Sequence, residues 1–281
     1  MATPRALIIS ISSDIGTALT RKLLAKGWEV AGTLRTATAE TSDLAARGAH
    51  LFTCDLAQTD AVATCCASIR KSFPSWDFLI VAPGTQEPVG PFSATNFTAW
   101  AQSINLNFTQ QLNFVHTLLP TRNLACPNGP CVLFFAGGGT NGPTVRYSAY
   151  TVSKIALIKM CELLHAEIDD TRFAIIGPGW VKTKIHQATI EAGSLAGENY
   201  EQTQERFKHS RFVPMEKVIK CCEWVFASPR IVVSGRNFSA ASDHWGDPTL
   251  STQLADDPHM YRLRRSGNDW KPSPPANEPT A

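Results

Sequence analysis

A chain of 281 residues, 43% hydrophobic and 18% charged, is long enough to bury a core of its own and ordinary for a globular protein. Its net charge of +2 points to neither a nucleic-acid binder nor an acidic solvating chain. No apolar run reaches about 18 residues, so neither a transmembrane helix nor a membrane partner is expected. The start, MATPRALIIS, lacks the apolar length and cleavage site of a secretory signal, and the cytoplasm is the expected compartment.

Taken in chain order, ALIIS at 6–10 is a short apolar run that reads as a first strand. TALTRKLLAKG at 17–27 follows, with Ala18, Leu19, Leu23 and Leu24 at helical spacing and Gly27 as a stop. WEVAGTL at 28–34, HLFTCDL at 50–56, FLIVAPG at 78–84, VLFFAGGG at 132–139, FAIIGPG at 173–179 and IVVSG at 231–235 read as further strands. The clearest helix, SAYTVSKIALIKMCELLHAEI at 148–168, sets Ile155, Ile158, Leu163 and Ile168 along one side. It also carries Leu157, Met160, Cys161 and Leu164 beyond that face, an apolar excess that suggests pairing between copies of the chain. Strands alternating with helices imply βαβ units. The expected fold is α/β: a doubly wound, Rossmann-type parallel sheet in three α/β/α layers, covered on both faces. One such domain is expected over residues 1–270. Within it, residues 183–215 are helix-prone but polar and read as an insertion, either a lid over a site or a plain surface excursion. The end, KPSPPANEPTA at 271–281, is rich in proline and is expected to be disordered.

The eight cysteines stand at 54, 65, 66, 126, 131, 161, 221 and 222. Two adjacent pairs and no CxxC argue for reduced core thiols in a chain that needs no staples. Cys126 and Cys131 flank PNGP in what reads as a surface loop, which leaves a labile disulfide open there. Seven histidines are scattered without HExxH, and no catalytic metal is expected.

Two local patterns carry chemistry. After the first strand come Ser10, Ser12, Ser13, Asp14, Ile15 and Gly16. Small residues there let a backbone approach phosphate oxygens at the next helix N-terminus, and an ordinary Ser/Asp-capped turn uses the same residues. Tyr150 and Lys154 lie four apart, on one face of a helix. An ammonium beside a phenol, whose ordinary pKa is about 10, lowers that value and lets the phenol exchange protons near neutrality. At the end of the second strand stand Arg35 and Thr36, with no acid to bind both ribose hydroxyls of NAD. A cation and a hydroxyl suit a 2′-phosphate, so NADP(H) is favoured over NAD(H).

In these motifs the chain resembles the compact, single-domain branch of the short-chain dehydrogenase/reductase family over roughly residues 5–245. Ser10 to Gly16 stands where that family has TGxxxGIG. Cys54-Asp55-Leu56 matches its adenine-contacting aspartate, and Val81-Ala82-Pro83-Gly84 stands in place of NNAG. Asn107 falls on the family's catalytic asparagine, Tyr150 and Lys154 on its catalytic pair. Pro178, Gly179, Trp180, Val181 and Thr183 lie in its nicotinamide-holding segment. The resemblance implies hydride transfer between NADP(H) and a carbonyl or secondary alcohol. Tyr150 would be general acid/base, Lys154 would bind the ribose and Asn107 would hold a water in a proton relay. It also implies a homodimer or homotetramer and a small-molecule substrate. Looser likenesses in FFAGGGTNG, GPGWVKTKIH and MYRLRR to members tied to bacterial surface-sugar biosynthesis suggest a sugar or nucleotide-sugar. Lys182, Lys184 and Arg146 then become candidate substrate-side cations, and Gly137, Gly138, Thr140 and Trp180 candidate substrate contacts. The sequence departs from the family at the catalytic serine, where Gly137 stands and Thr140 is the nearest hydroxyl. Loss of one such donor costs on the order of 100-fold in rate. That departure keeps two alternatives open: an NADP(H)-binding regulator or scaffold with little turnover, and a nonredox lyase or epimerase using Tyr150 as base.

Overall fold

The computed structural model describes residues 2–267; the tail at 271–281 lies outside them, as do residues 268–270 and Met1. Seven parallel strands form one sheet in the order β3-β2-β1-β4-β5-β6-β7. In chain order they are β1 (Arg5–Ile9), β2 (Glu29–Leu34), β3 (His50–Thr53), β4 (Phe78–Val81), β5 (Cys131–Phe135), β6 (Arg172–Gly177) and β7 (Arg236–Ser239). The strand order reverses between β1 and β4, both of which run parallel in register, Ile9 beside Val81. Open sheets of this kind bind ligands at the carboxyl edge of that reversal.

Helices cover both faces, as strands apolar on each side require. One buried cluster gathers Ile8, Leu19, Ile80, Leu133, Ile176 and Val225 under α1 (Asp14–Ala25) and α9 (Met215–Ala227). The other gathers Leu7, Leu79, Phe114, Phe134, Leu157 and Phe173 under α3 (Thr59–Ser72), α5 (Gln110–Leu118) and α6 (Ser148–Glu167). Alternate residues of one strand thus enter opposite clusters, the period-two geometry of a pleated sheet. Between β2 and β3 lies α2 (Ala39–Ala46), between β4 and α5 lies α4 (Phe97–Ile104), and α7 (Gln187–Ala192) and α8 (Glu198–Lys208) fill the polar stretch after β6. No helix among the described residues is long and apolar enough to cross a membrane.

Two expectations are corrected and two open readings are narrowed. IVVSG is not a strand: Arg230–Val233 forms a helical turn, α10, and β7 begins only at Arg236. A short apolar run fits either a buried turn of helix or a strand, and here Pro229, with its φ fixed, leads into the turn as its N-cap. On α6, Leu163 is exposed, whereas Leu157, Cys161 and Leu164 are buried within the chain itself. The apolar excess there is therefore core, because α6 meets both the sheet and α4. Cys126 and Cys131 are free and buried, like the other six cysteines, with Cys131 opening β5. The polar insertion forms α7 and α8, and residues of both helices line the same cavity as the strand ends.

Candidate active site

A single turn links β1 to α1 and shapes one end of a cavity of about 1430 Å³. Ser10 adopts φ +66°, the left-handed region that glycine enters freely and other residues rarely do. The neighbours hold it there. Its N–H donates to Thr33 Oγ1 at 3.0 Å, and its carbonyl accepts from Ser13 Oγ at 2.8 Å. Ser13 also caps α1, accepting from the Gly16 N–H at 3.1 Å. A Cβ on Gly16 would lie 2.5 Å from the Ser10 carbonyl oxygen, so this glycine is required by close approach. Asp14 opens α1, where a negative charge suits the helix dipole. Its Oδ2 accepts the Lys184 N–H at 2.9 Å and so joins this turn to the segment after β6.

Ser10, Ser12, Ser13, Asp14, Ile15, Arg35, Ala82, Pro83 and Gly84 all line the cavity. Thr36, Asp55 and Leu56 do not. Asp55 Oδ1 accepts instead from the Ala57 N–H at 3.0 Å in its own turn, and Leu56 is buried in the core.

Tyr150 and Lys154 stand one turn apart on α6, 9% and 3% exposed, and both face the cavity. Lys154 Nζ lies 5.7 Å from the centre of the Tyr150 ring. Burial pushes the phenol up to about 12 and the ammonium down to about 8. This corrects the expectation that the lysine lowers the phenol: withdrawal of water drives each group toward its neutral form. Lys154 Nζ makes no hydrogen bond within the described residues, so its donors remain for a ligand.

Asn107 sits in a π-helical turn, Asn105–Thr109, between α4 and α5, fully buried and off the cavity wall. Its Oδ1 accepts from the Thr85 N–H at 2.9 Å, and its Nδ2 donates to the Thr85 carbonyl at 2.9 Å and to Ser103 Oγ at 3.0 Å. The side chain is therefore spent on fixing the exit of β4. A Cβ on Gly84 would lie 3.7 Å from Asn107 Oδ1 and 3.8 Å from Lys154 Nζ, which places Gly84 over the gap between them.

Gly137, Gly138 and Thr140, from the loop after β5, line the cavity, as do Pro178, Gly179, Trp180, Val181 and Thr183 after β6. Gly179, at φ +77°, packs against Val213 and Ala241, each of which a Cβ would meet at 2.9 Å. Trp180 stacks on His186, ring centres 4.8 Å apart and 2° from parallel, and the Arg206 guanidinium lies 4.5 Å from the Trp180 ring. His186 Nε2 is 2.9 Å from the Val181 carbonyl and must donate, leaving Nδ1 buried without a partner. Burial and the Arg206 charge push this imidazole down, toward the neutral form. Lys184 and Arg146 line the cavity, but Lys182 instead lies 6.0 Å from the centre of the Phe207 ring.

The sequence did not single out the groups that hold α7 over the cavity. Thr189 Oγ1 donates to Gln86 Oε1 at 3.1 Å, so it is Tyr147 that donates to Thr189, at 2.8 Å. Tyr147 had a signal, one helical turn before Tyr150; Gln86 and Thr189 had none, being brought together by the fold.

The profile of the short chain dehydrogenase family matches residues 4–193. A serine 3-dehydrogenase of Agrobacterium fabrum is 24% identical over 228 residues, covering 80% of this chain and 88% of that protein. Among solved structures, a short chain dehydrogenase/reductase from Saccharomyces cerevisiae superposes with a TM-score of 0.72 at 20% identity, covering 89% of this chain and 98% of the other. Actinorhodin polyketide ketoreductase with NADPH superposes with a TM-score of 0.72 at 18% identity, over 84% and 95% of the two chains.

Proposed function

From the premise that this chain belongs to the short-chain dehydrogenase family, and so is an oxidoreductase, we propose that it transfers hydride between NADP(H) and a carbonyl or secondary alcohol of a small polar molecule. The observation that carries this reading is the buried Tyr150–Lys154 pair, opening onto a cavity at the reversal point of the sheet.

The residues present fit a dinucleotide. Gly16 lets the turn close tightly onto α1, Gly84 brings bare backbone to the cavity wall beside the lysine, and Lys154 brings a buried ammonium with no hydrogen-bond partner among the described residues. When bound, the nicotinamide supplies or accepts the hydride. Ser12, Ser13 and the α1 N-terminus would hold the phosphates, with Asp14 kept aside by its bond to the Lys184 amide. Lys154 would hold the ribose, and Pro178, Gly179, Val181 and Thr183 the nicotinamide end. Tyr150, protonated through the neutral range, would donate to the substrate oxygen during reduction and recover that proton during oxidation. Asn107 acts by holding the Thr85 backbone; a role in a water relay would fall to its main chain.

Arg35, exposed at the end of β2 with no carboxylate partner among the described residues, supports the preference for NADP(H). NADPH is expected to bind at least about tenfold more tightly than NADH, the worth of one charge-assisted contact. Calorimetry showing equal affinities would overturn this, and Arg35→Asp should narrow the gap. Gln86, Asn141, Arg146, Glu191, Asn199 and Gln202 line the cavity among apolar residues such as Val145 and Ile185, and these polar groups support a sugar, nucleotide-sugar or other hydroxylated substrate. The relative that is a serine 3-dehydrogenase is also named for a small polar substrate. A homodimer or homotetramer belongs to the same reading. The glycine at 137 is the one feature that favours a cofactor-binding regulator instead. Following NADPH absorbance over a panel of hydroxy acids, sugars and nucleotide-sugars discriminates the two. Turnover that Tyr150→Phe abolishes supports the enzyme; full activity in Tyr150→Phe, or tight NADPH binding with no turnover on any of the panel, overturns it.

A further inference from the structure

Gly137 stands where the family resemblance calls for a serine, and its surroundings leave no space for a side chain. A Cβ built there would lie 2.6 Å from Cε1, 2.7 Å from the hydroxyl oxygen and 2.8 Å from Cζ of Tyr150. Each is well inside van der Waals contact. The backbone itself is no obstacle, since Gly137 is not among the glycines of positive φ. It is also held in place, because the preceding Ala136 donates to the Ile176 carbonyl at 2.9 Å and continues the β5–β6 ladder. The three atoms a side chain would meet first all belong to the phenol, buried and seated on the end of β5. The next two glycines carry the same surface onward. A Cβ on Gly138 would lie 3.0 Å from Thr144 Oγ1, and one on Gly139 would overlap Thr151 Cγ2.

We propose that Gly137 is a positioning residue: its missing side chain seats the Tyr150 phenol against the end of β5, and a serine placed there expels the phenol instead of adding a second donor. The glycine is thus a requirement of this site, and the site cannot be repaired toward the family pattern by one substitution. The packing stands on geometry alone; only its consequence for turnover rests on Tyr150 being the proton donor. Once displaced, the ring can move only into the cavity, where water reaches it. Its hydroxyl then ionises more easily and no longer meets the substrate oxygen at the same place.

The test uses the full chain with Gly137→Ala, Gly137→Ser, Tyr150→Ala and the two double variants. With Tyr150 present, either change at 137 should lower the melting temperature by several degrees, the signature of overpacking. In the Tyr150→Ala background, which removes the ring, the same changes should cost almost nothing. Alkaline titration followed by phenolate absorbance should show one phenol falling from about 12 toward the ordinary value of about 10 in Gly137→Ser. That phenol is identified by its loss in Tyr150→Ala. On a turned-over substrate, kcat should fall by about 10²-fold with KM nearly unchanged, the cost of a misplaced reacting group. Additive melting shifts, an unmoved phenol titration or a raised kcat in Gly137→Ser would each overturn the proposal. If the wild-type chain turns over nothing, the functional reading fails, while melting and titration still decide the packing.

Discussion

Tyr150 and Lys154 shift in opposite directions for one reason, the removal of water, which disfavours phenolate and ammonium alike. Spacing on a helix makes this pair legible in the sequence; burial is a property of the whole fold, so the direction of the phenol's shift was not. A phenol at about 12 remains a proton donor throughout the neutral range. An amine at about 8 is mainly cationic below that pH and mainly neutral above it. The anionic dinucleotide should bind the cationic form better, so the complex holds the proton more tightly than the free protein does. NADPH affinity is therefore expected to be level below about pH 8 and to weaken as pH rises through it. Fluorescence titration across this range checks the sign. Lys154→Met should bind about tenfold more weakly and without that pH dependence; a wild-type affinity that strengthens above about pH 8 would contradict the assignment. Stability follows the same shifts. Between about 8 and 10.5 the unfolded lysine holds the proton that the folded one has lost, so stability rises with pH. Between about 10 and 12 the folded tyrosine keeps a proton that the unfolded one releases, and stability falls.

The elements that shape the cavity divide by how far apart in the chain their partners lie. The β1–α1 turn and the Pro178–Thr183 segment were readable because each is a local run of residues. The closure of α7 was not, since Asp14 meets the Lys184 amide across 170 residues and Thr189 meets Gln86 across 103. Polar composition alone could not separate a lid from a surface excursion for the same reason. With both contacts made, the turn before α7 is tied to the β1–α1 turn and the middle of α7 to the stretch after β4, while Tyr147, just before α6, donates to the same Thr189 hydroxyl. Thr189→Val keeps the size of the side chain and removes both hydroxyl bonds, leaving the buried Tyr147 hydroxyl without its acceptor. Two net hydrogen bonds at roughly 1 kcal/mol each are enough to loosen the element without unfolding the sheet. The expected result is a KM raised about tenfold with kcat little changed, together with faster proteolytic cleavage between α7 and α8. Unaltered KM and unaltered cleavage would mean that the contact does not hold α7 in place.

At the scale of the whole molecule, alternation of apolar strands with helices was enough to read the sheet, because a parallel strand buried on both faces is apolar at nearly every position. It fails at IVVSG, where an apolar run contains no period, and on α6, where the excess of apolar residues packs into the chain's own core. A pairing between copies would use other residues. Phe92, Phe97, Val145 and Val152 are all more than half exposed, and they lie on or beside α4 and α6, which pack together. Trp100 draws this surface together: it stacks on Phe97 at 5.5 Å, meets Phe92 edge-on at 6.2 Å and donates through Nε1 to Ser148 Oγ at 3.0 Å. Exposed aromatic side chains grouped on a rigid pair of helices are expensive to leave in water and are suited to a self-complementary twofold contact. Light scattering of the full chain at micromolar concentration is expected to give a dimer or tetramer. Phe97→Glu places a charge in the middle of that surface, at a side chain that is 66% exposed and so makes little contribution to folding. It should shift the mass toward the monomer while leaving the melting temperature of the dissociated chain and its NADPH affinity nearly unchanged. A wild-type chain that is monomeric under these conditions, or a Phe97→Glu chain that assembles as well as the wild type, would rule out this surface as the interface.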